Sequence, residues 1–109
     1  MMARAADGFG CELNNIEIRI NYKTNYGENL FIYWVDAVAQ DWDHVNKISM
    51  SYVEGSDGDW TVTYAFKKNT SILYKAVMVN GSGTARWEDG SNRSLTVTAD
   101  ETINMSWQA

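Results

Sequence analysis

Asn15-Ile16-Glu17-Ile18-Arg19-Ile20-Asn21-Tyr22 decides the fold of this chain. Isoleucine stands at every second position and the series closes on Tyr22, while Glu17, Arg19 and Asn21 fill the places between. In an extended backbone successive side chains point to opposite faces, so one face of this segment is apolar and the other polar. That is a strand half covered by a core; a helix would repeat its apolar positions every three to four residues. Just downstream, Asn25-Tyr26-Gly27-Glu28-Asn29 reads as a turn and Leu30-Phe31-Ile32-Tyr33-Trp34-Val35 as an unbroken apolar run. A strand that is apolar at every position needs cover on both faces, which places it near the middle of a sheet.

The same pattern predicts further strands over Lys47 to Val53, Asp59 to Lys67, Ser71 to Val79, Thr84 to Glu88, Ser94 to Thr98 and Thr102 to Trp107, with Asp, Asn and Gly clusters between them. No stretch combines helical periodicity with caps at both ends. The expected class is all-β, an immunoglobulin-like antiparallel β-sandwich of about seven or eight strands. The sandwich is expected over residues 15–109. Residues 1–14 read as a remnant or flexible lead-in, because Met1 to Gly10 lacks the apolar stretch of a signal peptide.

Composition narrows the function. A length of 109 residues fits one domain. The formal charge is −5 and the nine Lys and Arg residues are scattered, so no basic stripe exists to neutralise a phosphate backbone, and nucleic acid is not the expected partner. No apolar run approaches the roughly 20 residues of a membrane span. The single cysteine, Cys11, offers neither an internal disulfide nor a thiolate metal site. Asn-X-Ser/Thr sequons begin at Asn69, Asn80, Asn92 and Asn104. A glycan on Asn92 would obstruct the loop discussed next, so a bacterial exported setting or an intracellular one is expected, the secreted bacterial one favoured.

That loop is Trp87-Glu88-Asp89-Gly90-Ser91-Asn92-Arg93. It sets an indole beside a side-chain amide on a short, glycine-turned segment. An indole can lie under the apolar C–H face of a pyranose while an amide bonds its hydroxyls, so the pairing suits a sugar. Five Trp and six Tyr are many for so small a core. Trp42, flanked by Asp41 and Asp43, suits an exposed anchor or a structural plug equally. Trp60 shares parity with Val62, Tyr64 and Phe66 and reads as core, as do Trp34 and Trp107; Tyr26 and Tyr52 lie next to turns and suit either role.

An enzyme is not expected. A glycosidase needs two carboxylates roughly 5–10 Å apart across a cleft, and the acidic residues here fall mostly in turns. His44, the only histidine, has no credible nucleophile to serve, and no Gly-X-Ser-X-Gly elbow occurs. Glu54, Asp57 and Asp59 do not have the spacing of an EF-hand loop, so no metal or other cofactor is expected.

The order of the motifs sharpens this reading. Tyr26-Gly27-Glu28-Asn29-Leu30, Asp41-Trp42-Asp43, Trp60-Thr61-Val62, Tyr74-Lys75, the Trp87 to Arg93 loop and Ile103-Asn104-Met105-Ser106-Trp107-Gln108 together resemble the starch-binding domains of carbohydrate-binding module family 20. The resemblance covers nearly all of Ile16 to Gln108. It implies a small β-sandwich with two sites for α-1,4-linked glucose chains, carried by a larger amylolytic enzyme as a monomeric, non-catalytic module. The first site would comprise Trp42 and Trp87 as stacking platforms, Lys75 and Asn92 bonding hydroxyls, and Glu88 beside them. The second would use Tyr26, Tyr52 and Trp60, with Tyr52 assigned only by its position before the Trp60 strand. Starch, maltooligosaccharides and cyclodextrin are the implied ligands. The competing expectation, from a different class, is a β-sandwich whose exposed aromatics dock a partner protein.

Overall fold

The computed structural model describes residues 12–108. Residues 1–11 of the expected lead-in, Cys11 included, lie outside that range. Among the described residues the chain forms nine strands: β1 (Leu13–Asn21), β2 (Asn29–Asp36), β3 (Asn46–Ser49), β4 (Ser51–Tyr52), β5 (Asp59–Lys67), β6 (Ser71–Val79), β7 (Ala85–Trp87), β8 (Arg93–Thr96) and β9 (Glu101–Ser106). The one helical element among the described residues is a 3₁₀ turn at Trp42–His44.

Two sheets face each other. One has the order β9-β1-β5-β4; the other runs β3-β2-β6-β7, with β8 also pairing β6. The alternation that opened the sequence reading lies at the centre of this packing, because Ile16, Ile18 and Ile20 are buried on one face of β1 and meet Leu30 and Ile32 of β2. β2 pairs β3 on one side and β6 on the other, the central position its apolar run calls for.

Four details depart from the sequence expectation: among the described residues the strands number nine and not seven or eight, β1 begins at Leu13, inside the stretch expected as lead-in, and two further differences concern pairing. The stretch Lys47 to Val53 is two strands in different sheets, with the buried Met50 as the corner and its N–H donating to the Leu30 carbonyl at 3.0 Å. The sandwich is also not antiparallel throughout, since β9 runs parallel to β1, Ile103 beside Ile18 and Met105 beside Ile20. All the other pairs are antiparallel.

One arrangement positions the Trp87 loop. β7 and β8 pair the same edge of β6, β7 against Val77–Val79 and β8 against Ser71–Tyr74. The Glu88 to Asn92 loop therefore leaves and rejoins that edge opposite Lys75 and Ala76.

Candidate functional site

Register builds the first site on the outer face of the five-stranded sheet. Lys47, Tyr33 and Lys75 stand in one cross-strand row, and Phe31, Val77 and Trp87 in the next. Tyr33 is buried on this face because Trp87 meets it edge-on, with ring centroids 5.1 Å apart at 89°. Lys47 Nζ covers the same Tyr33 ring from 5.2 Å. Trp42, carried by the 3₁₀ turn, packs against Trp87 at 5.7 Å and 68°. The result is an angled pair of indoles with Trp87 40% exposed. Tyr33 and Lys47 are contributors the sequence reading missed. Their signal was faint, an aromatic and a lysine at strand positions that look like ordinary sheet surface.

The loop beside Trp87 is held by buried charge. Glu88, expected beside the stacking platforms, is 1% exposed, with its carboxylate turned into the protein. It takes the place that a continuous strand would occupy against β6. Its N–H donates to the Ala76 carbonyl at 3.1 Å, and its Oε1 accepts from the Ala76 N–H at 2.9 Å. Arg93 donates to both carboxylate oxygens, Nε to Oε1 and Nη2 to Oε2, each at 3.0 Å. The Gln108 N–H donates to Oε2 at 3.0 Å. Burial alone would raise the Glu88 carboxyl. The Arg93 hydrogen bonds, the Ala76 and Gln108 N–H groups and the guanidinium charge outweigh it and hold the group below its ordinary value. Arg93 is shifted upward by the same hydrogen bonds, so both partners favour the ion pair.

Lys75 also serves the loop, its Nζ donating to the carbonyls of Glu88 at 3.0 Å and Gly90 at 2.8 Å. The ammonium is thereby fixed beside the platform. Asn92 lies exposed on the same loop. The C-terminal segment closes the assembly. Gln108 O accepts from the Asp89 N–H at 2.8 Å, Arg93 donates to the Ser106 carbonyl, and the Gln108 amide nitrogen, turned to the loop, donates to the carbonyls of Asp89 at 2.6 Å and Ser91 at 3.3 Å.

The second constellation lies elsewhere. Tyr26, Tyr52 and Trp60 line one groove of about 560 Å³, together with Lys23, Asn25, Glu28 and Asp57. Tyr26 projects fully into solvent from a turn in which Asn25 O accepts from Glu28 N–H at 3.0 Å and Glu28 Oε1 from Asn25 N–H at 2.6 Å. Tyr52 is 41% exposed, with its hydroxyl donating to Ser56 O at 2.6 Å. Trp60 is 5% exposed, in accord with its core parity, and forms the floor against Tyr52 at 5.3 Å and 69°. It supports the site from beneath and does not stand out as a free platform. His44 is on the surface, its Nδ1 3.0 Å from Asp41 Oδ2.

Comparison with known proteins places the chain in a family. The family model described as the starch binding domain matches residues 14–107. A glucoamylase of Neurospora crassa is 28% identical over 108 residues, covering 91% of this chain and 17% of that protein. A cyclomaltodextrin glucanotransferase of Paenibacillus macerans is 32% identical over 92 residues, covering 81% of this chain and 13% of that protein. The chain thus spans less than a fifth of either relative. The family 20 carbohydrate-binding module of a maltotetraose-forming amylase from Pseudomonas saccharophila has the same fold, with a TM-score of 0.63 at 19% identity over 85% of this chain and 99% of that one. Since the family model takes in nearly every described residue, the chain belongs to the starch-binding domains of carbohydrate-binding module family 20, and it is a non-catalytic binding module.

Proposed function

We propose that this module binds α-1,4-glucans, namely starch, maltooligosaccharides and cyclodextrins, at two separate aromatic sites and so holds an attached amylolytic enzyme on its polysaccharide. The observation that carries the reading is the angled indole pair of the first site. Trp42 and Trp87 meet at 68° with Trp87 40% exposed, while the second site offers the exposed rings of Tyr26 and Tyr52 above the buried Trp60. A coiled glucan turns its apolar C–H faces through an angle from one glucose to the next, so a bent aromatic ridge suits it and a flat one does not. Each ring contact contributes about 1–3 kcal/mol by area removed from water. Hydrogen bonds from Lys75 and Asn92 in the first site add about 0.5–1.5 kcal/mol each, because sugar and protein both give up water to form them.

After association costs, a single site is expected to bind in the order of 10–100 μM. Two weak sites on one domain suit a repetitive insoluble ligand, because the second contact is made at high effective concentration. The relatives are named for acting on starch-type glucans, and the short share of their length matched here supports an attached catalytic domain in this protein. Depletion onto granular starch tests the reading. The protein should leave solution and β-cyclodextrin should return it; failure of the unmodified chain to adsorb would reject the function. Trp87→Ala and Tyr26→Ala should each weaken adsorption and together weaken it far more than either alone, whereas full adsorption by the double variant would reject the residue assignment.

A further inference from the structure

We propose a third glucan-binding groove, at the seam where the two sheets part, floored by Trp34 and Phe66 and edged by Tyr64. It rests on the α-glucan reading above and adds a surface that neither of the two aromatic sites includes.

Tyr64 is the anomaly that points to it. It has the parity of Trp60 and Phe66 on β5, the core-facing side, yet it is 39% exposed while those two are buried. The cause lies in the pairing. β4 covers β5 only at Thr61 and Trp60, and among the described residues no strand continues along that side of β5 towards Lys67. The sandwich therefore opens there. Trp34 of β2 fills the opening, 5.1 Å from Phe66 and 6.3 Å from Tyr64, and Tyr64 lies 4.8 Å from Phe66. A groove of about 410 Å³ runs over these rings, rimmed by Asp36, Asn46, Lys67 and Thr70.

The seam repeats the design of the Tyr52–Trp60 site. In each groove a tyrosine about two-fifths exposed leans on an indole, at 69° in one and 59° in the other. In each, the indole N–H is buried with no acceptor among the described residues. Buried donors without acceptors are uncommon enough to need a reason, and these two belong to the indoles of two aromatic grooves. Trp60 and Tyr64 are four positions apart on one strand, so the grooves follow one another along β5 at roughly 13 Å.

Size and chemistry select the occupant. The volume is within the roughly 300–1,000 Å³ of small-ligand sites. The lining is far short of the 20–30 residues that each partner brings to a stable protein interface. Aromatic faces ringed by an ammonium, an amide, a hydroxyl and a carboxylate match a pyranose, which has apolar faces and an edge of mixed donors and acceptors.

The test is an NMR titration of the ¹⁵N-labelled full chain with maltotriose, following the indole N–H signals. In the Trp87→Ala, Tyr26→Ala background the Trp34 signal should still move with maltotriose. Adding Tyr64→Ala should weaken that response about tenfold, the size expected for one lost ring contact. Lys67→Ala, at an exposed rim position, should weaken it in a chain whose core is untouched, and it serves if Tyr64→Ala fails to fold. A Trp34 signal that stays still, or one indifferent to both substitutions, overturns the groove. So does a Trp34 signal that responds to an added protein domain and not to maltotriose. If Trp87 responds in the unmodified chain while Trp34 does not, the third groove fails and the two-site function stands. If neither responds, the α-glucan reading itself has failed.

Discussion

The two aromatic sites present similar ring angles on unlike foundations. The Trp42–Trp87 platform adjoins a loop braced by the buried Glu88–Arg93 pair, by Lys75 and by the C-terminal Gln108. The Tyr26–Tyr52–Trp60 groove joins an exposed turn, closed by its own short hydrogen bonds, to a core indole. One is held by long-range charge linking β6, the loop and the end of β9; the other by local turn chemistry and packing. The difference teaches that the two proposed binding surfaces depend on different physical forces, so they should fail under different insults.

The strongest insult to the first site is Arg93→Ala. It leaves the Glu88 carboxylate buried with two backbone donors and no counter-charge. Breaking a buried pair from one side costs about 3–5 kcal/mol. Urea unfolding should show a loss in that range. In the fraction that stays folded, cyclodextrin calorimetry should show the Trp87 site lost and the Tyr26 site retained. Equal loss at both sites would mean that the brace serves the whole sandwich and not one loop.

Next in size are the platform residues themselves. Trp87→Ala should cost about 1–3 kcal/mol of binding at the first site and leave the second unchanged; Tyr26→Ala should do the converse. Tyr26 is preferable to Trp60 for this purpose, because removing a buried indole costs about 3–5 kcal/mol of stability and confounds binding with unfolding. Calorimetric stoichiometry falling by one cyclodextrin per chain in each single variant is the check.

Much of this contrast was legible in the sequence, and the illegible part has identifiable causes. Period-two alternation in Ile16 to Tyr22 and the apolar run from Leu30 to Val35 sufficed for the strands and for the central place of β2, because face and burial are local properties. The corner at Met50 was invisible. Alternation passes through Ile48 and Met50 unbroken while the strand changes sheets, and nothing local records which sheet supplies the hydrogen bonds. The parallel β9–β1 pair was hidden for the same reason, since pairing partners are a tertiary choice. At the site, the neighbours of Trp87 pointed to exposure while those of Trp42 left anchor and plug equally open, and the burial of Glu88 was not legible at all. Beside Asp89 and Gly90 it looks like any loop acid, and only the gap between β7 and β8 gives its carboxylate a buried partner to replace.

Acid sharpens the comparison further. Glu88 is held below the ordinary 4.5 in the folded chain. A depressed carboxylate contributes stability that is fully present above the unfolded value, and that is lost as pH falls through the folded one. Unfolding midpoints should therefore hold down to about pH 4.5 and then drop as the carboxylate takes up its proton. Glu88→Gln should remove this component of the acid slope, and cyclodextrin binding at the first site should fall with it. An unchanged slope in Glu88→Gln would assign acid sensitivity to other carboxylates.

The smallest effect separates the two foundations most cleanly. Gly90 and Gly27 both sit at φ +87°, one in each site's loop. Alanine at either position meets the same left-handed backbone penalty, about 1–2 kcal/mol. Beyond that the surroundings differ. At Gly27 an added methyl meets nothing within 4 Å, while at Gly90 it would stand 2.6 Å from the Gln108 side-chain amide. That amide can swing away, but only by releasing the carbonyls of Asp89 and Ser91. Gly90→Ala should thus be more destabilising than Gly27→Ala by about 1 kcal/mol, the net value of a hydrogen bond or so. In a Gln108→Ala background the difference should vanish, because the obstructing amide and the bonds it makes are both gone. A difference that persists there would show that the loop is held by Glu88, Arg93 and Lys75 alone, with the C-terminal side chain a bystander.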